Sequence, residues 1–183
     1  MTMSDIANEL GISKRTLYEV FRDKEELLES CISVRLSQAD KEIKALADDS
    51  EDVIDAMMRI YVRHLNEMRS VNKLVLRDLK KYYSHIYRKL ESKQKEGVNS
   101  LLPLLNRGVK QGLIRMDINL EIILWLVGSQ FKALMDEDYF PTDKYSTNEF
   151  IQTIMLNFIR GIATPSGNEK VDMIMKNLNN KEE

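Results

Sequence analysis

One cysteine, two histidines, three prolines and seven glycines are few among 183 residues, and each shortage excludes something. With Cys31 alone there is no internal disulfide and no cysteine-based zinc site. His64 and His85 stand on different segments without a ligand-spaced partner, so no metal is expected. Strand-rich folds need many tight turns, and so little Gly and Pro leaves helices as the building material. The most apolar stretch, 118–134, is broken by Asn119, Glu121, Ser129, Gln130 and Lys132, which excludes a membrane span there. Met1 opens onto Thr2 and Ser4 with no basic-then-apolar leader, so a reducing cytoplasm is the expected location. Neither charge sign dominates, 27 Lys+Arg against 29 Asp+Glu, and the composition as a whole does not point to nucleic acid. No Ser/His/Asp arrangement, phosphate loop or paired-carboxylate site stands out, so neither an enzyme nor a cofactor is expected.

What the chain does have is 43% apolar and 31% charged residues in helical spacing, as an ordinary globular protein has. Thr2 with Asp5, and Asp23 with Glu26, have the capping-box spacing that opens helices. Ile6, Ala7 and Leu10 form an apolar face before Gly11; Leu17, Val20 and Phe21 form another after Ser13. A longer helix from Asp23 ends near Leu46 or Ala47, and Ser50 precedes one with a stripe at Val53, Met57, Ile60, Tyr61, Leu65 and Met68. Asn72 is read as the cap of Leu74–Tyr83, and one helix is expected from Ser84 to Gln111, stopped by Gly112. Asp117 or Asn119 opens the apolar segment to Leu134, 136–146 reads as a loop, and Thr147–Ile162 is helical. After Pro165-Ser166-Gly167 a short helix at Val171–Leu178 is expected. The expectation is an all-α fold of eight or nine helices.

Residues 5–21 carry the specific signal. Two short apolar-faced helices meet at Gly11, where a side chain would strain the turn, and Ile12 plugs the corner. That is the logic of a helix-turn-helix, and it leaves Lys14, Arg15, Thr16, Tyr18 and Glu19 on the outer face of the second helix. Cations there reach guanine edges, a threonine reaches a base or thymine methyl, and a tyrosine reaches phosphate. Glu19 either accepts from cytosine or faces water, and water is the expectation.

These residues, from Thr2-Met3-Ser4-Asp5-Ile6-Ala7 through Gly11-Ile12-Ser13 to Leu17–Leu28, resemble the DNA-binding signature of TetR/AcrR-type transcriptional regulators. The late Phe158–Thr164 is similar to the end of a dimer helix of that family. The resemblance implies Ser13, Lys14, Arg15, Thr16 and Tyr18 at the recognition helix, with Thr2 and Lys24 at helix starts that hold phosphate. It implies a short helix-turn-helix part, 1–29, followed by a larger helical ligand-binding and dimerisation domain, 30–183. Such a regulator acts as a homodimer on a palindromic double-stranded operator, most often as a repressor released by a small effector.

The chain departs from the family at its front. It starts at what should be the second helix, and residues 1–29 carry four cations against seven acids, a net of −3. The expectation is that the natural first helix is missing and that this polypeptide alone binds operator weakly. The alternative is a helical ligand-binding dimer that has lost DNA binding.

Met57, Tyr61, Met68, Tyr83, Tyr87, Trp125 and Phe131 are candidates to line an apolar effector pocket, or else to be packed core. Both faces of 122–134 and of 150–162 are apolar, which points to a subunit interface through Ile123, Leu126, Val127, Ile151, Ile154, Met155 and Phe158. The run Arg77–Lys95, seven cations against Asp78 and Glu91, could take an anionic ligand or DNA; a solvated helix face is the expectation.

Overall fold

The computed structural model describes residues 1–70, 73–134 and 144–179, without the side chains of 68–70, 73, 134 and 179. Among them run ten helices: α1 (Met3–Glu9), α2 (Lys14–Val20), α3 (Lys24–Asp48), α4 (Val53–Ser70), α5 (Lys73–Tyr82), α6 (Ser84–Asn99), α7 (Leu102–Lys110), α8 (Leu120–Leu134), α9 (Thr147–Ile162) and α10 (Pro165–Asn179). No strand occurs among the described residues; the one β contact is an isolated bridge between Ile114 and Ala163.

Most of the caps read from the sequence form. Thr2 and Asp5 exchange both hydrogen bonds of a capping box. Asp23 accepts from Glu26 N–H, but Glu26 Oε2 takes the N–H of Arg22, so only half of that box forms. Ser146 and Glu149 form a full box at α9 that the sequence reading does not name. Asn119 Oδ1 accepts from the N–H groups of Glu121 and Ile122 and so opens α8. At α4 the cap is Asp52, which accepts from Ile54 and Asp55, rather than Ser50. The cap assigned to Asn72, and the loop over 136–143, lie outside the described residues.

Two elements differ from expectation, both at a proline. The helix expected over 84–111 is two, α6 and α7, because Pro103 at the start of α7 has no N–H to continue the α6 ladder. The tail helix starts at Pro165, with the Thr164 hydroxyl accepting from Gly167 N–H, so α10 is twice the expected length. A proline in the first helical turn is favourable, and Pro165 opens a helix instead of breaking one.

Two hydrophobic cores result. The large one is built around α4, which packs against α3, α7, α9 and α10 and buries Val53, Ile54, Met57, Met58 and Tyr61. The small one consists of Met3, Ala7, Leu17 and Leu27, with Ile6 and Phe21 against it. Helix α3 joins them: its first turn supplies Leu27 to the small core, and Ile43, Leu46 and Ala47 lie against the large one.

Candidate DNA-reading surface and effector region

At the front, Gly11 adopts φ +64°, the left-handed conformation that an L side chain resists. This turns the chain so that α2 packs on α1 through Leu17, which is 3% exposed. Ser13 caps α2, its hydroxyl accepting from Thr16 N–H at 3.0 Å. Lys14, Arg15, Thr16, Tyr18 and Glu19 all face outward on the first two turns. Lys14 Nζ lies over the Tyr18 ring at 5.7 Å. Glu19 does not simply face water: its carboxylate takes Arg15 Nε at 3.1 Å, an exposed pair worth little and readily exchanged for another anion.

The phosphate candidates sit at helix starts. The Thr2 hydroxyl accepts from Asp5 N–H, and the Thr2 N–H bond to Asp5 holds that carboxyl below its ordinary range. Asp23 caps α3, and the N–H of Glu26 lowers its pKa in the same way. Lys24 is half-buried with its Nζ 5.9 Å from the Tyr83 ring centre. Around these groups Leu10, Val20 and Val34 remain exposed, at 61%, 65% and 55%.

The effector candidates divide. Met57 and Tyr61 are buried side by side in the large core, and Phe131 packs partly buried against it. Tyr87 is half-buried on α6, which lies against α8. Trp125 is 62% exposed, outside the core that holds Met57 and Tyr61, so it is corrected from pocket to surface. Tyr83 is half-buried with its ring under Lys24, where α6 meets α3. The side chain of Met68 lies outside the described residues. His64 was missed. It is half-buried with its ring 6.4 Å from that of Phe131, and burial holds its pKa below 6.5. It falls three residues after Tyr61, so the same apolar stripe could have flagged it. A groove of ≈ 1270 Å³ between α3, α4 and α10 is lined by none of the seven pocket candidates; ion pairs such as Arg63–Glu42 rim it.

The interface candidates also need correction. Ile151, Ile154, Met155 and Phe158 are each at most 8% exposed inside their own chain, and Val127 is 6% exposed. They are packed inside the chain, where α9 lies against α4 and α8. Ile123 is half-buried, and Leu126 at 45% is the one candidate left outside. The apolar groups actually unburied on α8 are Ile122, Trp125 and Leu126, in helical spacing. Uniform apolarity around α8 hid which side faces in, because the phase is set by where α6 and α9 lie.

Among the described residues no cluster of His, Cys, Asp or Glu could hold a metal, and no helix is long and apolar enough to cross a membrane. A chain whose described residues are helical, with a helix-turn-helix at one end and cations on the outer face of its second helix, has the form of a DNA-binding regulator. Residues 1–31 match the family model described as bacterial regulatory proteins, tetR family. An uncharacterized HTH-type transcriptional regulator, YvaF, of Bacillus subtilis (strain 168) is 27% identical over 165 residues, covering 88% of this chain and 85% of that protein. Two solved structures share the fold. The fatty acid degradation regulator FadR from Bacillus halodurans superposes with TM-score 0.66 at 17% identity, over 86% of this chain and 83% of that one. FadR from Bacillus subtilis, solved in complex with stearoyl-CoA, gives 0.63 at 15% identity, over 88% and 89%. The front of the chain thus matches the DNA-binding segment of the tetR family, and the chain as a whole is similar to an HTH-type transcriptional regulator.

Proposed function

We propose that the protein is a cytoplasmic, ligand-responsive repressor that acts as a homodimer on a palindromic operator. The observation that carries the reading is the outward row Lys14, Arg15, Thr16 and Tyr18 on a helix capped by Ser13 and anchored by Leu17. Ser13 supplies the helix start, Thr2 and Lys24 steady the flanking phosphates, and the row enters the major groove. Residues 1–29 form the reading part and 30–183 the ligand-binding and dimerising part, a division supported by the two cores.

Dimerisation is assigned to the exposed face of α8, Ile122, Trp125 and Leu126, beside α9. Two helices from each subunit make a four-helix bundle. The effector is a small apolar molecule held near Met57, Tyr61, His64, Tyr87 and Phe131. The fatty-acyl ligand of the Bacillus subtilis neighbour makes an acyl thioester the first effector to try. Effector binding favours a dimer shape whose recognition helices no longer fit successive major grooves.

The test is a fluorescence-anisotropy titration of a duplex selected by this chain from a random pool. Lys14→Ala with Arg15→Ala is expected to weaken binding at least tenfold and to abolish preference over unselected duplex. Unchanged preference would remove the role given to these two residues. The second reading, a helical dimer without DNA binding, draws on the −3 charge of residues 1–29 and gains if no duplex is enriched.

A further inference from the structure

The acidic front has to bind a polyanion, and the cations for that task need not lie within the helix-turn-helix. Three contacts fix where the corner between α5 and α6 lies. Lys24 Nζ stands over the Tyr83 ring at 5.9 Å, His85 Nε2 lies 3.0 Å from Glu25 Oε1, and Lys89 Nζ lies 2.8 Å from Glu29 Oε1. The corner is therefore seated on the first two turns of α3, at the same end of the molecule as α2.

Over residues 77–89 this corner holds five cations against Asp78 alone. Its cations are not all committed to neighbours. Lys89 is held by Glu29, but Arg77, Lys81 and Arg88 are exposed and take part in no ion pair among the described residues. Arg77 and Lys81 are one helical turn apart on α5. Lys81 Nζ lies over the ring of Tyr82 at 5.0 Å, and Tyr82 is itself 65% exposed. Cations beside an exposed phenol form a surface that suits phosphate oxygens, with the lysine and arginine as charges and the phenol as donor.

We propose that the α5–α6 corner, chiefly Arg77, Lys81 and Tyr82, is a second contact with the DNA phosphate backbone, flanking the recognition helix. This rests on the DNA-reading role proposed above and adds to it. The corner neutralises phosphates that the acidic helix-turn-helix leaves unneutralised. It supplies affinity and salt dependence but no choice of sequence, because backbone oxygens are alike at every base pair. It also makes DNA affinity sensitive to the seating of α6 on α3.

The test follows binding of the full chain to its pool-selected duplex, and to an unselected duplex, across a salt series. Arg77→Gln with Lys81→Gln is compared with the parent. Each cation removed from both subunits of a dimer is expected to lower the slope of log affinity against log salt by about 1.8, and the double variant by roughly twice that. The selected sequence should stay the same, and Lys81→Arg should keep the parent slope. Lys110→Gln is the control for charge in general. Lys110 lies beyond Arg107, whose guanidinium donates to Ala47 O at the far end of α3, about 37 Å from its start. It should change the slope by far less. An unchanged slope in the double variant, or an equal fall in Lys110→Gln, overturns the inference while leaving the recognition helix in place. A parent chain that binds neither duplex overturns both, and only in that case is the DNA-reading role itself at fault.

Discussion

Gly108 shows how little room single residues have in the large core. A Cβ built there meets Val53 Cγ1 at 2.6 Å and Ile114 Cγ1 at 2.5 Å, and both neighbours are at most 2% exposed. Gly108→Ala is expected to destabilise the protein by about 1–3 kcal/mol, read as a lower denaturant midpoint. Gly11 is the opposite case, with open space around it and φ +64°. Gly11→Ala should cost about 1 kcal/mol through the backbone alone. His64 carries a pH dependence. Burial disfavours its cation, Arg63 acts in the same sense and Glu67 opposes, so the folded ring releases its proton more readily than a free imidazole at 6.5. The unfolded chain thus binds a proton first as pH falls. The stability that the neutral ring carries is complete above about 6.5 and is lost as pH falls through the lower folded value. His64→Gln should flatten the fall in denaturant midpoint between about pH 7 and about pH 5, and an unchanged fall would exclude this source.

Among the elements, the sequence was most informative where one residue type has a single structural use. Gly11 with Ser13, the Thr2–Asp5 capping box, the Asp23 cap and the 3–4 spacing of α4 mark their helices because glycine at positive φ, a side-chain oxygen at a helix start and an apolar stripe each have one physical meaning. It was least informative where a pattern has two solutions. Pro103 and Pro165 can each break a helix or open one; each stands in a first helical turn, Pro165 beside the Thr164 hydroxyl that accepts from Gly167 N–H and Pro103 at a start without a side-chain cap. On α8, apolar residues all round leave the inner face undefined, so Trp125 reads as pocket and Ile151 of α9 as interface; in the structure Trp125 is exposed and Ile151 is buried in its own chain. Trp125 is the single tryptophan and is exposed, so under the proposed dimerisation through α8 its emission should report association. Trp125→Asp is expected to convert a dimer to a monomer in sedimentation while leaving helix content unchanged. A dimer surviving that change would place the interface elsewhere.

At the level of the molecule, two cores of very different size share one helix. The small core holds only Met3, Ala7, Leu17 and Leu27 as buried side chains, so it opens more easily than the core around α4. Leu17→Ala should remove about 2–5 kcal/mol from that unit, enough to unfold the reading end while the amides of α4 and α9 keep their exchange protection. Loss of protection in both would mean that α3 couples the cores into one cooperative unit. Contacts from Glu25 and Glu29 on α3 to His85 and Lys89 on α6 also tie the front of α3 to the rest of the chain.

The central claim is that this end reads DNA as one half of a symmetric pair. It is tested most directly by selecting duplexes from a random pool with the full chain and sequencing what is retained. The account predicts an inverted repeat whose half-sites are centred about one helical turn, roughly 34 Å, apart. Retained sequences without any repeat, or no enrichment at all, would contradict it.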